Sequence, residues 1–302
     1  MTITTDAGAT TAPAAGPVVL GWFEPGSPEW HAARATGIGG SEIAAVLGLS
    51  PHESAFSLWH RKQGLIGPVA ESEEMYWGKV HEPAICARFA TEHPDLPVTP
   101  APTYAHPTRS WQIANPDRHA GLDLLEAKTS RDAEGWGEEG TDQIPVHYRA
   151  QCLWYMDVLG ARRCWVAVLI AGSEYREYLV EYDQAEAEFM RDKAASFMAS
   201  LAAGDRPAID GHTATYQAVR DLPDGLDDVD VEIETALRDR FHAAQDQFWL
   251  AEDELTACKG LLLDAIGTGR RAVCERQRVA TRTVRDGKTY QLLPARTRRN
   301  AR

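Results

Sequence analysis

Residues 124–130, with the sequence LLEAKTS, are the stretch that most limits what this chain can fold into. The apolar surroundings predict a buried strand, and side chains two residues apart in a strand lie on the same face. Glu126 and Lys128 therefore share one face, while Leu125 and Ala127 point to the other. An isolated Glu-x-Lys is more often a surface salt bridge, so a functional interpretation needs a second observation.

That second observation is Asp117, nine residues before Glu126 in the turn-like segment ANPDRHAG. Asp117 is expected to end the neighbouring strand and to lie opposite Glu126. Two converging carboxylates form a hard-oxygen site suited to Mg²⁺, and a lysine beside them can position a water or stabilise charge on a phosphate. The pattern favours metal-assisted phosphodiester hydrolysis. A surface hairpin with a salt bridge between residues i and i+2 also fits, and the residues alone leave both readings open.

The order of periodic segments predicts an α/β domain built on a mixed sheet. Helices are expected within 27–51 (as helix, Gly-rich turn, helix), 53–65, 71–93, 145–160 and 183–203. Strands are expected near 97–105, 110–115 and 121–129 and as a pair over 162–182. Pro83 is expected to interrupt the helix over 71–93, because proline lacks the amide hydrogen that a helix interior uses.

The C-terminal quarter has a different pattern. Residues 229–267 predict one long helix or a helical pair, and 270–293 predict a β-hairpin around Asp286-Gly287. Apolar residues fall near heptad spacing in this segment; they are Leu237, Phe241, Phe248, Leu255 and Leu262. Such a stripe can pair within the chain or with another subunit, and both options stay open.

Charge is distributed unevenly along the chain. The net charge is −13, yet residues 269–302 contain eleven Lys or Arg and only two acidic residues. The remaining body is therefore strongly acidic, which argues against a protein that coats nucleic acid by charge alone. The basic C-terminal segment fits either a nucleic-acid contact or a solvated tail.

The cysteines and the hydropathy exclude several classes of protein. The five cysteines are scattered and form no CxxC pair, so a zinc knuckle, an iron–sulfur cluster or a disulfide scaffold is not expected. No apolar run of about 18 residues predicts a membrane span. Residues 1–17 are small and polar without a signal-peptide pattern, and we expect a disordered tail. These features predict a cytoplasmic protein with no membrane partner.

Four segments in order resemble the PD-(D/E)xK nuclease superfamily and, more narrowly, the YqaJ family of phage-type recombinases and exonucleases, which is related to lambda exonuclease. They are EWHAARATGIGGSEIAAVLGLSP, WGKVHEP, ANPDR with LLEAKTS, and IPVHYRAQCLWYMDVLGA. The resemblance runs from residue 22 to about 205. It implies a restriction-endonuclease-like core with a mixed central sheet flanked by helices, followed here by a C-terminal helical and β-hairpin extension.

The resemblance also implies roles for matching positions. Asp117, Glu126 and the carbonyl of Ala127 are expected to ligate Mg²⁺, with Mn²⁺ as an alternative metal. Glu82 is expected to assist at the metal from its helix. Lys128 is expected to contact the attacking water.

Three further residues receive roles in the same way. Gln151 is expected to face the cleft and to hydrogen-bond the water or the lysine. Arg34 and Ser41 resemble a pair that grips the 5′-phosphate of a DNA end. A guanidinium beside the helix start that follows Gly39-Gly40 is a chemically sensible anion site.

The expected function is a Mg²⁺-dependent DNA exonuclease of phage-type recombination that hydrolyses linear duplex from 5′ ends and leaves single strands. The alternatives are another PD-(D/E)xK endonuclease and a non-catalytic protein that binds DNA ends or a partner. The expected partners are double-stranded DNA ends, a single-strand annealing protein and further copies of the chain in a ring. A bacterial host cytoplasm, with a phage or prophage origin, is the expected setting.

The expected domain boundaries follow from the same analysis. They are a tail over 1–17, a nuclease domain over 18–205, a linker over 206–228, and a helical segment with a basic hairpin over 229–302.

Overall fold

The computed structural model describes residues 16–223 and 225–295. The expected N-terminal tail lies almost entirely outside the described residues. The chain divides into two units, residues 1–224 and 225–302. The first unit contains β1 (Val18–Gly21), α1 (Pro28–Ala35), α2 (Gly40–Val46), α3 (Ala55–Lys62), α4 (Glu73–Glu92), β2 (Val98–Pro100), β3 (Thr103–Ala105), β4 (Ile113–Ala114), β5 (Arg118–Ala120), β6 (Asp123–Ser130), α5 (Val146–Leu159), β7 (Arg163–Ile170), β8 (Glu174–Glu181), α6 (Gln184–Ala203) and α7 (Thr213–Asp221).

A mixed five-stranded sheet forms the centre of this unit. Its strand order is β2-β5-β6-β7-β8. Strands β6 and β7 run parallel and pair Glu126 with Val166, whereas the other neighbours are antiparallel. Helix α5 supplies the connection that a parallel pair requires. The predicted mixed α/β class is therefore confirmed.

Helices cover both faces of β6, and alternation along the strand assigns its side chains. Leu124 packs in the larger core with α5 residues such as Leu153 and Trp154. Leu125 packs on the opposite face against Ile85 and Phe89 of α4. Glu126 therefore faces the α5 side of the sheet, as the period of two requires.

A second, smaller sheet has the order β1-β3-β4. The predicted strand near 97–105 is thus two short strands that belong to different sheets. The loop before α2 joins the small sheet through a bridge between Ile38 and Gln112. This bridge anchors the Gly-rich turn of the first motif to the body of the unit.

Helix α4 runs unbroken through Pro83, so the predicted interruption at this residue is wrong. The missing amide hydrogen removes one helical hydrogen bond. The buried side chains that follow it pack on the central sheet, and this packing offsets the lost hydrogen bond; they are Ile85, Cys86 and Phe89.

The framing residues of α5 behave as predicted. Pro145 is the N-cap residue, and Gly160 ends the helix in the left-handed conformation with φ of 68°. Glycine adopts that conformation without the steric penalty of a Cβ atom.

Within the predicted 206–228 linker the structure contains helix α7. Thr215 of α7 donates from its hydroxyl to Ser54 Oγ at 2.7 Å, and His212 Nε2 lies 3.0 Å from the Ser50 carbonyl oxygen. The segment therefore docks on the start of α3.

The second unit consists of one long helix and a small sheet. They are α8 (Thr235–Ile266), β9 (Arg271–Cys274), β10 (Gln277–Arg285) and β11 (Lys288–Pro294). The hairpin predicted around Asp286-Gly287 joins β10 to β11, and both turn residues have positive φ. A second turn at Glu275-Arg276 adds β9, which the sequence analysis had not separated from the hairpin. The basic residues after 295 lie outside the described residues.

Across residues 16–223 and 225–295, no helix has the length and apolar character needed to cross a membrane.

Candidate active site

Asp117 is held beside Glu126 by the hairpin of β5 and β6. The register pairs Arg118 with Leu125, so the residue before β5 lies opposite Glu126. Asp117 therefore precedes a strand instead of ending one. Its Oδ2 atom accepts a hydrogen bond of 2.7 Å from the Ala127 amide. Because the N–H and C=O of one strand residue point to the same edge, the Ala127 carbonyl also faces the Asp117 side.

Glu126, Lys128 and Gln151 form one hydrogen-bonded cluster. Lys128 Nζ lies 2.6 Å from Glu126 Oε1 and 3.2 Å from Gln151 Oε1. Gln151 Nε2 donates to Glu126 Oε1 at 2.6 Å. Gln151 comes from α5, so packing of this helix on the sheet is what brings it to the strand pair.

Glu82 approaches the same point from α4. Its Oε1 atom accepts from Arg118 Nη1 at 2.8 Å, and Arg118 also donates to the Asp117 carbonyl oxygen at 2.6 Å. The structure thus brings Glu82 next to the Asp117 backbone, but an arginine occupies one of its carboxylate oxygens.

Burial and mutual repulsion make the carboxylates hard to ionise. Burial, together with the neighbouring charge of Glu126, raises the pKa of Asp117 well above its usual range. Burial likewise raises the pKa of Glu126, and the Lys128 ammonium offsets this only in part. For Lys128, burial opposes the charge, but Glu126 and Asp117 outweigh it and raise the pKa of the ammonium. Lys128 is therefore a cation that donates hydrogen bonds.

The donor set fits a divalent cation. Glu126 is 3% exposed, and its buried Oε2 atom has no hydrogen-bond partner among the residues that the structure describes. Such an orphaned carboxylate oxygen is costly in a protein interior, and a cation would satisfy it. Carboxylate and carbonyl oxygens are the ligands that Mg²⁺ prefers. In the described part of the chain no three His, Cys, Asp or Glu side chains are already grouped as a metal site.

Arg34 and Ser41 form a second cluster at the Gly-rich turn. Arg34 Nη2 donates to Ser41 Oγ at 2.8 Å and lies 3.2 Å from Glu42 Oε1. The guanidinium also stacks over the Trp30 ring at 4.5 Å. A Cβ atom at Gly39 would lie 3.3 Å from this guanidinium, so the glycine leaves room for it.

Glu42 and Lys62 hold this cluster together, and neither was predicted as a site residue. Glu42 accepts from the Gly39 amide at 2.8 Å and pairs with Lys62 at 2.9 Å. Burial opposes the charge of Glu42, but Arg34 and Lys62 outweigh it and lower the pKa of this carboxyl. The spacing of Glu42 three residues after Gly39 is a capping-box signal that could have identified it.

Tyr155 connects the two clusters. Its hydroxyl accepts from Gln151 Nε2 at 3.1 Å. A Cβ atom at Gly40 would lie 2.3 Å from the Tyr155 ring. The absence of a side chain at Gly40 therefore lets α2 approach α5, and it places the Arg34 cluster close to the Glu126 cluster.

Two aromatic residues of α5 complete the surroundings of Lys128. Its ammonium lies 4.8 Å from the centre of the Tyr148 ring, which favours a cation. Burial, His52 and the charge of Lys128 lower the pKa of His147 to about 4. His147 is therefore neutral at physiological pH, and no described geometry makes it a metal ligand.

Comparison with known proteins agrees with the motif resemblance. Residues 29–162 match the model of the YqaJ-like viral recombinase domain family. The chain is 31% identical over 208 residues to the YqaJ protein of Bacillus subtilis (strain 168), which covers 64% of this chain and 62% of that protein. The chain thus spans less than two thirds of this relative.

Two solved structures are similar to part of this chain at low identity. An alkaline exonuclease from Laribacter hongkongensis has a TM-score of 0.49 and 23% identity, covering 59% of this chain and 94% of its own. A phage-related exonuclease from Haemophilus somnus 129PT has a TM-score of 0.43 and 8% identity, covering 62% and 96%. The family match confirms the resemblance predicted from the four motifs, and over residues 29–162 the chain is similar to the YqaJ-like viral recombinase domain family.

Proposed function

We propose that this chain is a Mg²⁺-dependent deoxyribonuclease that digests linear duplex DNA from its 5′ ends and leaves single strands for recombination. The observation that carries the proposal is the convergence of Asp117, Lys128 and Gln151 on Glu126, whose buried Oε2 atom has no hydrogen-bond partner among the described residues. The viral recombinase domain matched over residues 29–162 supports the biological setting.

Asp117, Glu126 and the Ala127 carbonyl would hold the cation, with Glu82 as a further ligand once it leaves Arg118. A bound Mg²⁺ supplies positive charge to a phosphate oxygen and makes a bound water more acidic. The carboxylates contribute the negative charge that selects a divalent cation. Their burial excludes bulk water, which strengthens every electrostatic contact in the site.

Lys128 and Gln151 are the groups that would act on the water and the phosphate. Lys128 stays protonated, so it donates a hydrogen bond and offsets the charge that grows on the phosphate. Gln151 has its amide nitrogen on Glu126 and its amide oxygen near Lys128. It therefore fixes the position of both side chains and can orient a water between them.

Arg34 and Ser41 would bind the terminal 5′-phosphate. A guanidinium and a hydroxyl that already contact one another present several donors to a phosphate. A terminal phosphate carries more negative charge than an internal diester, so the Arg34 guanidinium attracts the terminal phosphate more strongly. This pocket would place the DNA end at a set distance from the cleavage site.

The proposal is tested with end-labelled linear duplex, with and without a 5′-phosphate, in Mg²⁺ and in chelator. Stepwise release of nucleotides from phosphorylated 5′ ends, only with metal, is the expected result. Cutting of a covalently closed circle would favour another PD-(D/E)xK endonuclease. DNA-end binding with no metal-dependent cleavage would indicate a non-catalytic end-binding protein.

Replacing Arg34 with Ala should remove the preference for phosphorylated over hydroxyl 5′ ends, because the guanidinium is the charged donor of the pocket. Cleavage of hydroxyl ends should change little. The measurement is the ratio of initial rates on the two ends. Arg88→Ala is the matched control, since Arg88 is exposed on α4 and pairs with Glu92. An unchanged ratio in Arg34→Ala would assign Arg34 a structural role only.

Mg²⁺ should stabilise the fold more as pH rises. The raised pKa values of Asp117 and Glu126 mean that the metal-free fold gains stability from their protonated forms at low pH and loses it as pH rises. Mg²⁺ requires the ionised forms and binds only the folded site, so its stabilisation grows in the same direction. Thermal unfolding in Mg²⁺ and in chelator, at mildly acidic, neutral and mildly alkaline pH, checks this. A melting-temperature increment that is equal at all three pH values would contradict it.

The remaining partners are proposed from the family resemblance. They are a ring of identical subunits, which would encircle the duplex, and a single-strand annealing protein, which would receive the strand that is left.

A further inference from the structure

Helix α8 carries a stripe of apolar side chains, and most of this stripe is not covered by other residues that the structure describes. Leu237, Phe241, Phe248 and Leu255 are between 54% and 65% exposed. At the C-terminal end of the helix, Leu262, Leu263 and Ile266 pack against Ala272, Ala280 and Leu292 of the small sheet. The first two thirds of the stripe therefore have no covering group within this unit.

The residues between the large ones complete a regular heptad. Ala244, Ala251 and Cys258 fall between Phe241, Phe248, Leu255 and Leu262, so that steps of three and four residues alternate. This is the a and d spacing of a coiled coil. The a positions are large: Phe241, Phe248, Leu255 and Leu262. The first d position is Leu237, and the d positions that follow it are small. Trp249 and Leu250 are also exposed but lie outside the stripe.

The alternation of large and small residues decides between two orientations of a helix pair. In a parallel pair, each layer joins a residue to its own copy, so phenylalanines meet phenylalanines and alanines meet alanines. In an antiparallel pair, a residues meet d residues. The layers of Phe241 and Phe248 then each combine one large and one small side chain, which packs evenly, and only Leu237 and Leu255 meet as two large side chains.

We propose that α8 pairs antiparallel with α8 of a second copy of this chain, and that position 246 marks the midpoint of the overlap along the helix axis. Phe241 then packs against the partner's Ala251, Ala244 against the partner's Phe248, and Leu237 against the partner's Leu255. The overlap of residues 237–255 is about 28 Å long at 1.5 Å per residue. This pairing uses the second unit alone and does not depend on the proposed nuclease activity.

Charges beside the stripe agree with this register. In an antiparallel pair, e residues flank e residues and g residues flank g residues. Arg238 then lies beside the partner's Glu252, and Arg240 lies beside the partner's Glu254. Within the described part of a single chain, Arg238 pairs with exposed Asp239.

The central flanking positions carry no charge. Gln245 and Gln247 lie beside their own copies near the two-fold axis. No like charges therefore meet in this register. A parallel pair would instead place Arg240 beside the partner's Gln245. Arg238 and Arg240 would then both lack a carboxylate partner, so the charges at the e and g positions favour the antiparallel orientation.

The test is the molecular mass of the full chain in solution, measured by light scattering over a range of concentrations. Pairing through α8 should give the wild type twice the mass of the species that remains when the α8 pair is broken, whether that species is one chain or a ring. The double reversal Arg238→Glu with Arg240→Glu should dissociate the dimer, because it places four acidic pairs across the interface. The fourfold exchange that adds Glu252→Arg and Glu254→Arg should restore it.

Asp253→Arg changes charge on the outer face and should leave the mass unchanged, and circular dichroism should show that α8 stays helical in every variant. A wild type that is monomeric at all concentrations would overturn the proposal. So would a dimer that survives the double reversal.

Cross-linking separates the two orientations. In the antiparallel register the two Cys258 thiols lie about 36 Å apart along the helix axis, whereas a parallel pair would bring them together. In a Cys274→Ser background, mild oxidation should therefore give no covalent dimer through Cys258. With Cys258 also replaced by Ser, Gln245→Cys should be joined efficiently by a short bismaleimide. A Cys258 disulfide would overturn the antiparallel register.

Discussion

Replacing Asp117 with Asn is expected to slow DNA cleavage by on the order of 10³-fold, about 4 kcal/mol of transition-state stabilisation. Asparagine has nearly the same shape and can still accept the hydrogen bond from the Ala127 amide. The variant therefore loses one negative charge at the proposed metal and little else. Glu126→Gln should have an effect of similar size, because it removes the carboxylate whose Oε2 atom lacks a hydrogen-bond partner in the described part of the chain.

The effect is measured as the single-turnover rate on phosphorylated linear duplex at saturating Mg²⁺. Asp123→Asn is a suitable control, since Asp123 begins the same strand but pairs with Arg163 and the Trp165 indole. The folded structure of each variant is checked by thermal unfolding in chelator. Because a buried acid with a raised pKa is lost, Asp117→Asn should melt at or above the wild-type temperature. Wild-type cleavage by Asp117→Asn would refute the metal-site assignment.

Replacing Gly37 with Ala is expected to cost about 3 kcal/mol of unfolding free energy, the range of severe overpacking. A Cβ atom at this position would lie 2.0 Å from the Trp111 carbonyl oxygen. That carbonyl accepts the Ile38 amide at 2.7 Å, and the Ile38 carbonyl in turn accepts from the Ile113 amide at 3.0 Å. The obstruction is backbone against backbone, so no side-chain rotation can relieve it. The connection between α1 and α2 would have to leave the small sheet.

Denaturant unfolding measures this loss, and Gly67→Ala is its matched control. Gly67 has no atom within 4 Å of a built Cβ, and its φ lies outside the positive range, so the same substitution meets open space there. The Gly37 variant should also lose the 5′-phosphate preference, because the displaced turn carries Arg34 and Ser41. An unfolding free energy within about 0.5 kcal/mol of wild type, the usual range for surface changes, would contradict the packing argument.

Local patterns in the sequence were sufficient for the strand pair at the centre of the candidate site. A strand period of two places Glu126 and Lys128 on one face, and the short connection to Asp117 allows only a neighbouring strand. The limits of α5 follow from Pro145 and Gly160, and the turn at Asp286-Gly287 follows from its residue types. Each of these depends on the backbone preferences of residues close together in the chain.

Contacts between residues far apart in the chain decided the remainder. Helix α4 continues through Pro83 because packing on the sheet outweighs one lost hydrogen bond, and α7 forms where composition suggested a linker. Gln151 reaches Glu126 only because α5 lies across β6. The sequence by itself determined which residue types stand at the centre of the site. Only the tertiary structure decided that the Arg34 cluster and the carboxylates lie side by side. Their proximity follows from the close approach of Gly40 to Tyr155, which depends on how two helices far apart in the sequence pack together.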